Sequence, residues 1–314
     1  MRGSSRILKS IAVTAFLSLP ALGQADESDG WDLTVDEIAK ELSNPVTALA
    51  SFSNDFQYRT YQGSLPAADD QTSWIYELEV SIPIPLRNGK NFLMSATIPF
   101  NLNQPVWETW FGHPIWEVDR SYADFLIRQS PQVTPDSGRF LRGHDHAGDV
   151  SFDLAYGGVS DGGFISKYGM VFVLPSSQDR SAARQQFLMG PEVAFGKSAD
   201  WGVLGASVTH FMRVSGDPDF DTNETELEVF FAYGLGNGWQ ITSSPVITYD
   251  WEADSGNKLL LPIGGGLSKT MMLGRMPFRM GFELQYFVET SNRLGQQWLF
   301  TFNLTPVMRN PFRK

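Results

Sequence analysis

Between Phe278 and Val288 the even positions are Phe278, Met280, Phe282, Leu284, Tyr286 and Val288, and the odd ones are Arg279, Gly281, Glu283, Gln285 and Phe287. After a polar gap at 290–296 the rhythm returns. Trp298, Phe300, Phe302 and Leu304 alternate with Gln297, Leu299, Thr301 and Asn303. Side chains of a strand point to opposite faces with a period of two. Each run is therefore a strand with one large apolar face and one mostly polar face. Each is about ten residues long, the length a tilted strand needs to cross a bilayer. Two such strands read as a hairpin of a transmembrane β-barrel, apolar outside and polar inside.

The rest of the chain repeats the pattern. Strands are expected at 51–61, 73–86, 91–102, 149–157, 164–174, 185–196, 201–213, 224–235, 239–252 and 259–269. With the opening hairpin they make about 12, an even number as single-chain bacterial barrels require. The fold class is all-β: an antiparallel transmembrane β-barrel over 51–312, with a short N-terminal amphipathic helix in the segment 26–50. Connections alternate in length. Those near 87–90, 158–163, 197–200, 236–238 and 270–276 are short, and Asn88-Gly89 suits a type I′ hairpin. Those near 62–72, 103–147, 175–184, 214–223, 253–258 and 290–295 are on average longer and more acidic, as outer loops are. Residues 103–147 break the rhythm and read as one long irregular loop, in which 121–129 could extend a strand or form a short helix. Trp74, Trp201, Trp239, Trp251 and Trp298 fall near strand ends, where an aromatic girdle would sit.

Residues 1–25 read as a signal peptide. Arg2, Arg6 and Lys9 precede a short apolar core from Ile11 to Leu19, and Gly23-Gln24-Ala25 ends it. This points to export and to the bacterial outer membrane. Formal charge is −11 and becomes −14 once Arg2, Arg6 and Lys9 are removed, which disfavours nucleic acid as a partner. With no cysteine, disulfides and thiol chemistry are excluded. Thr34 and Glu37 fit a capping box, and Val35, Ile38 and Leu42 share one face of the helix that follows. That helix either rests on the periplasmic mouth or plugs the lumen.

Period two assigns the interior. Arg59, Glu77, Glu79, Glu192, Glu226, Glu228, Asp250, Arg279 and Glu283 fall on polar faces and are the candidate lumen-lining residues. Unpaired charges inside are costly, so cross-lumen pairs from the acids to Arg59 or Arg279 are expected. The set either holds the wall together or makes an acidic lining that favours cations and neutral molecules. His144-Asp145-His146 is half of a metal-ligand pattern, and His210, in an outward phase, has no evident partner. No catalytic residue, metal or cofactor is assigned. Gly264-Gly265-Gly266 lies inside a strand, where it allows close backbone packing.

Asn44-Pro45-Val46-Thr47-Ala48-Leu49, Gly190-Pro191, Tyr249-Asp250-Trp251 and the stretch from Pro262 to Lys269 resemble the family described as the putative MetA-pathway of phenol degradation, whose members are also called transporters or neuromedin U. The resemblance covers most of the chain after residue 25. It implies an outer-membrane barrel linked to the breakdown of aromatic compounds; with the alternation and the leader, the expectation is a monomeric channel in outer-membrane lipid and not an enzyme. It also implies passage of small, aromatic or hydrophobic solutes. The alternative is a closed barrel with a structural or binding role, its lumen blocked by salt bridges or by the N-terminal helix.

Overall fold

A computed structural model of the chain describes residues 33–109, 138–177, 184–216 and 221–312. The 1–25 leader and the 121–129 segment lie outside these residues.

Among the described residues one α-helix, α1 (Val35–Glu41), precedes fourteen strands. These are β1 (Ala50–Gln62), β2 (Thr72–Pro85), β3 (Asn91–Thr109), β4 (Gly138–Ala147), β5 (Val150–Val159), β6 (Phe164–Leu174) and β7 (Gln186–Ala199). They continue as β8 (Gly202–Gly216), β9 (Asn223–Gly236), β10 (Trp239–Ser243), β11 (Val246–Asp250), β12 (Leu259–Leu273), β13 (Met276–Glu289) and β14 (Gly295–Met308). β4 and β5 form one stave interrupted at Gly148-Asp149, and β10 and β11 another interrupted at Ser244-Pro245. Twelve staves result. Each pairs antiparallel with its chain neighbours, and β1 pairs with β14 from Ala50↔Met308 to Gln62↔Gly295, closing the barrel. Closure removes the free edges that β1 and β14 would otherwise present.

Register carries the period-two faces around the wall. Phe56 pairs with Tyr76 and Phe302, and Phe302 with Phe282, so their rings share one face. That face is external: Phe282 is 50 % exposed and Phe302 38 %. On the opposite face Gln285 and Phe287 are buried. β6, whose phase is ambiguous in sequence, presents Phe164 and Tyr168 outward and buries Ile165 and Lys167.

Three expectations need correction. The irregular loop 103–147 is strand at both ends. β3 runs on to Thr109 and pairs with β4 through Val106↔Leu141, Trp107↔Phe140 and Glu108↔Arg139. Two register shifts between Asn101 and Val106, with Asn103 at φ 55°, erase the alternation that would have marked it. Trp107 is buried against Phe140, ring centroids 4.8 Å apart, and clusters with Leu65 and Ala68. The turn at 86–90 is not type I′, which needs positive φ at both central residues. Only Gly89 has it, at 76°, while Leu86 N donates to Lys90 O and Asn88 Oδ1 accepts from Lys90 N. Finally, β12 runs four residues past Lys269, to Leu273. Thr270-Met271-Met272-Leu273 does not alternate, yet it pairs with β13 up to Leu273↔Met276.

Gly264 and Gly266 sit where β12 approaches β13 closely. A Cβ at either would lie 2.0 Å or 1.8 Å from the carbonyl oxygens of Leu284 and Phe282.

The staves have a short-turn end (86–90, 160–163, 236–239, 273–276) and a long-loop end. α1 and residues 309–312 belong to the short-turn end: Asp36 Oδ1 accepts from Gly238 N at 2.5 Å, and Asn310 Nδ2 donates to Ala48 O at 3.1 Å.

Candidate functional site: the barrel lumen

The interior holds a cavity of about 560 Å³. Its floor is the segment between α1 and β1. Leu42, Ser43, Asn44, Pro45 and Thr47 border it from the short-turn end. The segment is positioned by its own polar groups. Asn44 Oδ1 accepts from Val46 N at 3.2 Å, and Asn91 Nδ2 donates to Val46 O at 2.9 Å. Arg279 Nη1 donates to Leu42 O at 3.1 Å, and Ser43 Oγ donates to Gln240 Oε1 at 3.3 Å. Val46, 2 % exposed, packs into a cluster of inward side chains: Leu93, Ala155, Ile165, Ala194, Val203 and Phe230. Thus α1 lies at the mouth, tied to the Asn237-Gly238 turn, while the residues after it fill the lumen's short-turn end. Of the two sequence alternatives, the helix takes the mouth position; what enters the lumen is the segment after it, not the helix.

α1 is held in shape by its capping box. Thr34 N and Thr34 Oγ1 donate to Glu37 Oε2 at 2.7 Å and 2.9 Å, and Glu37 N donates to Thr34 Oγ1. The backbone N–H of Thr34, and then its hydroxyl, hold the Glu37 carboxyl below its ordinary value. A depressed acid contributes stability that is present above the ordinary carboxylate value and lost as pH falls through the lowered one. A spin label at Lys40→Cys should therefore stay immobilised at neutral pH and gain mobility only once pH falls below the ordinary glutamate range. With Glu37→Gln the mobility should no longer depend on pH in that range.

Above the floor the lining is rich in hydroxyls, among them Ser51, Ser53, Ser81, Ser95, Ser207 and Thr301, and in charge. The strongest contact is a three-residue knot. Lys167 Nζ on β6 lies 2.5 Å from Asp153 Oδ2 on β5 and 2.8 Å from Glu192 Oε1 on β7, and its side chain is 10 % exposed. Ser207 Oγ adds a bond to Glu192 Oε1 at 3.2 Å. On the other side of the barrel, Asp55 accepts from Ser53 and from Asn303. Glu283 accepts from Ser244 N at 2.8 Å, Ser244 Oγ at 2.9 Å and Gln285 Nε2 at 2.7 Å. The break at Ser244-Pro245 frees that backbone N–H from the ladder and lets it reach Glu283.

Of the sequence candidates, Glu79, Glu192, Glu228, Arg279 and Glu283 border the cavity. Arg59 and Glu77 lie beyond it, linked through Gln57: Arg59 Nη2 donates to Gln57 Oε1 at 2.5 Å, and Gln57 Nε2 to Glu77 Oε2 at 2.7 Å. Glu226 pairs in register with Thr209 and Thr248, off the cavity lining. Asp250 caps the loop after β11, accepting from Glu252 N and Ala253 N. The expected ion pairs from Arg59 or Arg279 to acids do not form among the described residues. Arg279 turns instead to the floor segment, whose Leu42 carbonyl accepts from it. Lys167 and Asp153 are lumen-lining residues absent from the sequence candidates. Asp153 was legible, since it alternates with Phe152 and Leu154. Lys167 was not, because both faces of β6 carry apolar residues.

Elsewhere, Asp145 Oδ1 accepts from Asn103 N at 2.9 Å and His146 Nε2 faces Asn101 Nδ2 at 3.0 Å, contacts that pin the β3–β4 bulge. No group of three possible metal ligands occurs among the described residues. His210 does find a partner, Thr225 Oγ1 at 2.9 Å, and Trp251 Nε1 donates to the same hydroxyl.

No protein-family model matches the chain, and no curated protein matches it. Solved structures do. The outer membrane phospholipase A from Escherichia coli aligns over 88 % of this chain and 99 % of its own, at 10 % identity and TM-score 0.39. The Ralstonia pickettii toluene transporter TbuX aligns over 86 % and 92 %, at 9 % identity and TM-score 0.41. Scores this low carry no weight. The COG4313 outer membrane channel from Pseudomonas putida F1 covers 85 % of this chain and 98 % of its own, at TM-score 0.58 and 9 % identity. At that score the chain shares the channel's fold.

Proposed function

We propose that the protein is a bacterial outer-membrane channel that admits small solutes along the barrel axis, with the short-turn end in the periplasm. It acts as a monomer in outer-membrane lipid and is not an enzyme. One observation carries the reading: a closed barrel with large apolar side chains outside encloses a cavity lined by hydroxyls and charges. A membrane supplies the only solvent in which both faces are satisfied at once. The fold shared with an outer membrane channel supports it. The motifs that resemble the phenol-degradation family are architectural here. Asn44 to Leu49 form and anchor the floor, and Tyr249-Asp250-Trp251 ends a stave at the loop end. They support the channel class more than passage of aromatic solutes.

Purified, refolded protein should conduct ions across a planar bilayer, and folded protein that passes no ions would overturn the proposal. The membrane placement has its own test. Phe302 lies mid-stave on the external face, and Phe302→Arg should lower stability in vesicles by about 2–4 kcal/mol. The inward neighbour change Thr301→Asn should have little effect.

A second reading has a specific observation behind it. The floor segment closes much of the short-turn end, so the barrel could serve a structural or binding role with its lumen blocked. Removing the segment distinguishes the two, as set out in the Discussion.

A further inference from the structure

The lumen's charges are not all matched. Asp55, Glu79, Asp153, Glu192, Glu228 and Glu283 border the cavity against Lys167 and Arg279, a formal charge of −4. Most have partners. Lys167 is shared by Asp153 and Glu192, Asp55 and Glu283 accept hydrogen bonds from the wall, and Arg279 holds the floor. Glu79 on β2 and Glu228 on β9 face the same cavity and have no hydrogen bond or ion pair to any described residue. Around the closed barrel β2 and β9 are six staves apart in either direction, so the two carboxylates stand on opposite walls. Ser268, 4 % exposed, also borders the cavity, and its Oγ has no partner. Both carboxylates feel the charge of Lys167, but that ammonium is bonded to Asp153 and Glu192, and carboxylates withdrawn from bulk water without a partner of their own are costly. A cation with several N–H donors would satisfy both of them and the serine oxygen.

We infer that the lumen cavity is a binding site for a small organic dication of the primary-amine class, seated between Glu79 and Glu228 with Ser268 as a further acceptor. The inference rests on the channel reading in that it names the class of solute the lumen selects. A diamine offers one ammonium group to each of the two carboxylates on opposite walls. The hydroxyls between them can bond water or the remaining N–H groups. An anion would meet the formal charge of −4, and a purely apolar solute would leave both acids unpaired.

The test is calorimetric titration of the full mature protein in detergent with 1,4-diaminobutane, 1,4-butanediol and succinate. The diamine should bind at one site, at least about tenfold more tightly than the diol, and succinate should not bind. The isosteric double variant Glu79→Gln with Glu228→Gln should weaken diamine binding about tenfold or more, while the barrel keeps its heat-resistant compact band on gels. Should that variant fail to fold, the comparison of diamine with diol on the unaltered protein decides alone. Equal binding of diamine and diol, or a folded double variant that binds diamine as before, overturns the inference. Bilayer conductance separates this from the channel reading. Conduction without diamine preference removes the amine site and leaves the channel. Diamine binding without conduction leaves the site and removes the channel.

Discussion

Replacing Lys167 with methionine should destabilise the barrel by about 3–5 kcal/mol, the cost of breaking a buried ion pair by removing one partner. Methionine fills the space but leaves Asp153 and Glu192 facing each other across β6 without the cation that now lies 2.5 Å and 2.8 Å from them. The three side chains are between 10 % and 18 % exposed, so water cannot take the lysine's place fully. The midpoint of urea unfolding in lipid vesicles measures the loss. Adding Asp153→Asn and Glu192→Gln to Lys167→Met should recover most of it, because a neutral hydrogen-bonded set of similar volume avoids the desolvation that the ion pair must offset. If Lys167→Met unfolds at the original midpoint, the knot is not what ties β5, β6 and β7 together inside the lumen.

Deleting residues 26–45 should raise single-channel conductance several-fold. The deletion removes α1 and the part of the floor that carries Leu42, Ser43, Asn44 and Pro45, and with it the acceptors that Arg279 now uses. Arg279 would then be free to face the cavity acids. The barrel itself should survive, since its closure runs through β1 and β14, beginning at Ala50↔Met308. A modest loss in thermal stability is expected from the missing contacts of α1 with the Asn237-Gly238 turn. Conductance that stays at the full-length level would mean that the floor does not limit flow. A rise from near zero would favour the reading of a barrel blocked in its resting state.

Much of this architecture is visible in residue order. The runs around Phe282, Phe302 and Phe56 assign inside and outside because strand periodicity is two and the large apolar side chains share one face, so a register slip would carry the charged face outward. Turns with glycine and asparagine mark the short end. Asp153 and the glutamates on β2, β7 and β9 follow from the same parity.

The rest depends on what meets across space. The β3–β4 ribbon was hidden by two bulges, because a bulge inserts a residue and inverts the parity on which the reading depends. Lys167 was hidden by the mixed faces of β6, which come from the apolar cluster around Val46 that packs inside the barrel. Alternation assigns Arg279 to the interior but not its partner. The carbonyl it donates to belongs to a residue 237 positions earlier in the chain. The barrel and the sidedness of its wall are therefore readable from residue order, since both are local properties of alternating strands. Which interior charges pair, which stay unmatched, and that a segment before the first strand fills the lumen's short-turn end emerge only once the wall has closed. Those outcomes depend on distances between staves far apart in the chain, and no local period encodes them.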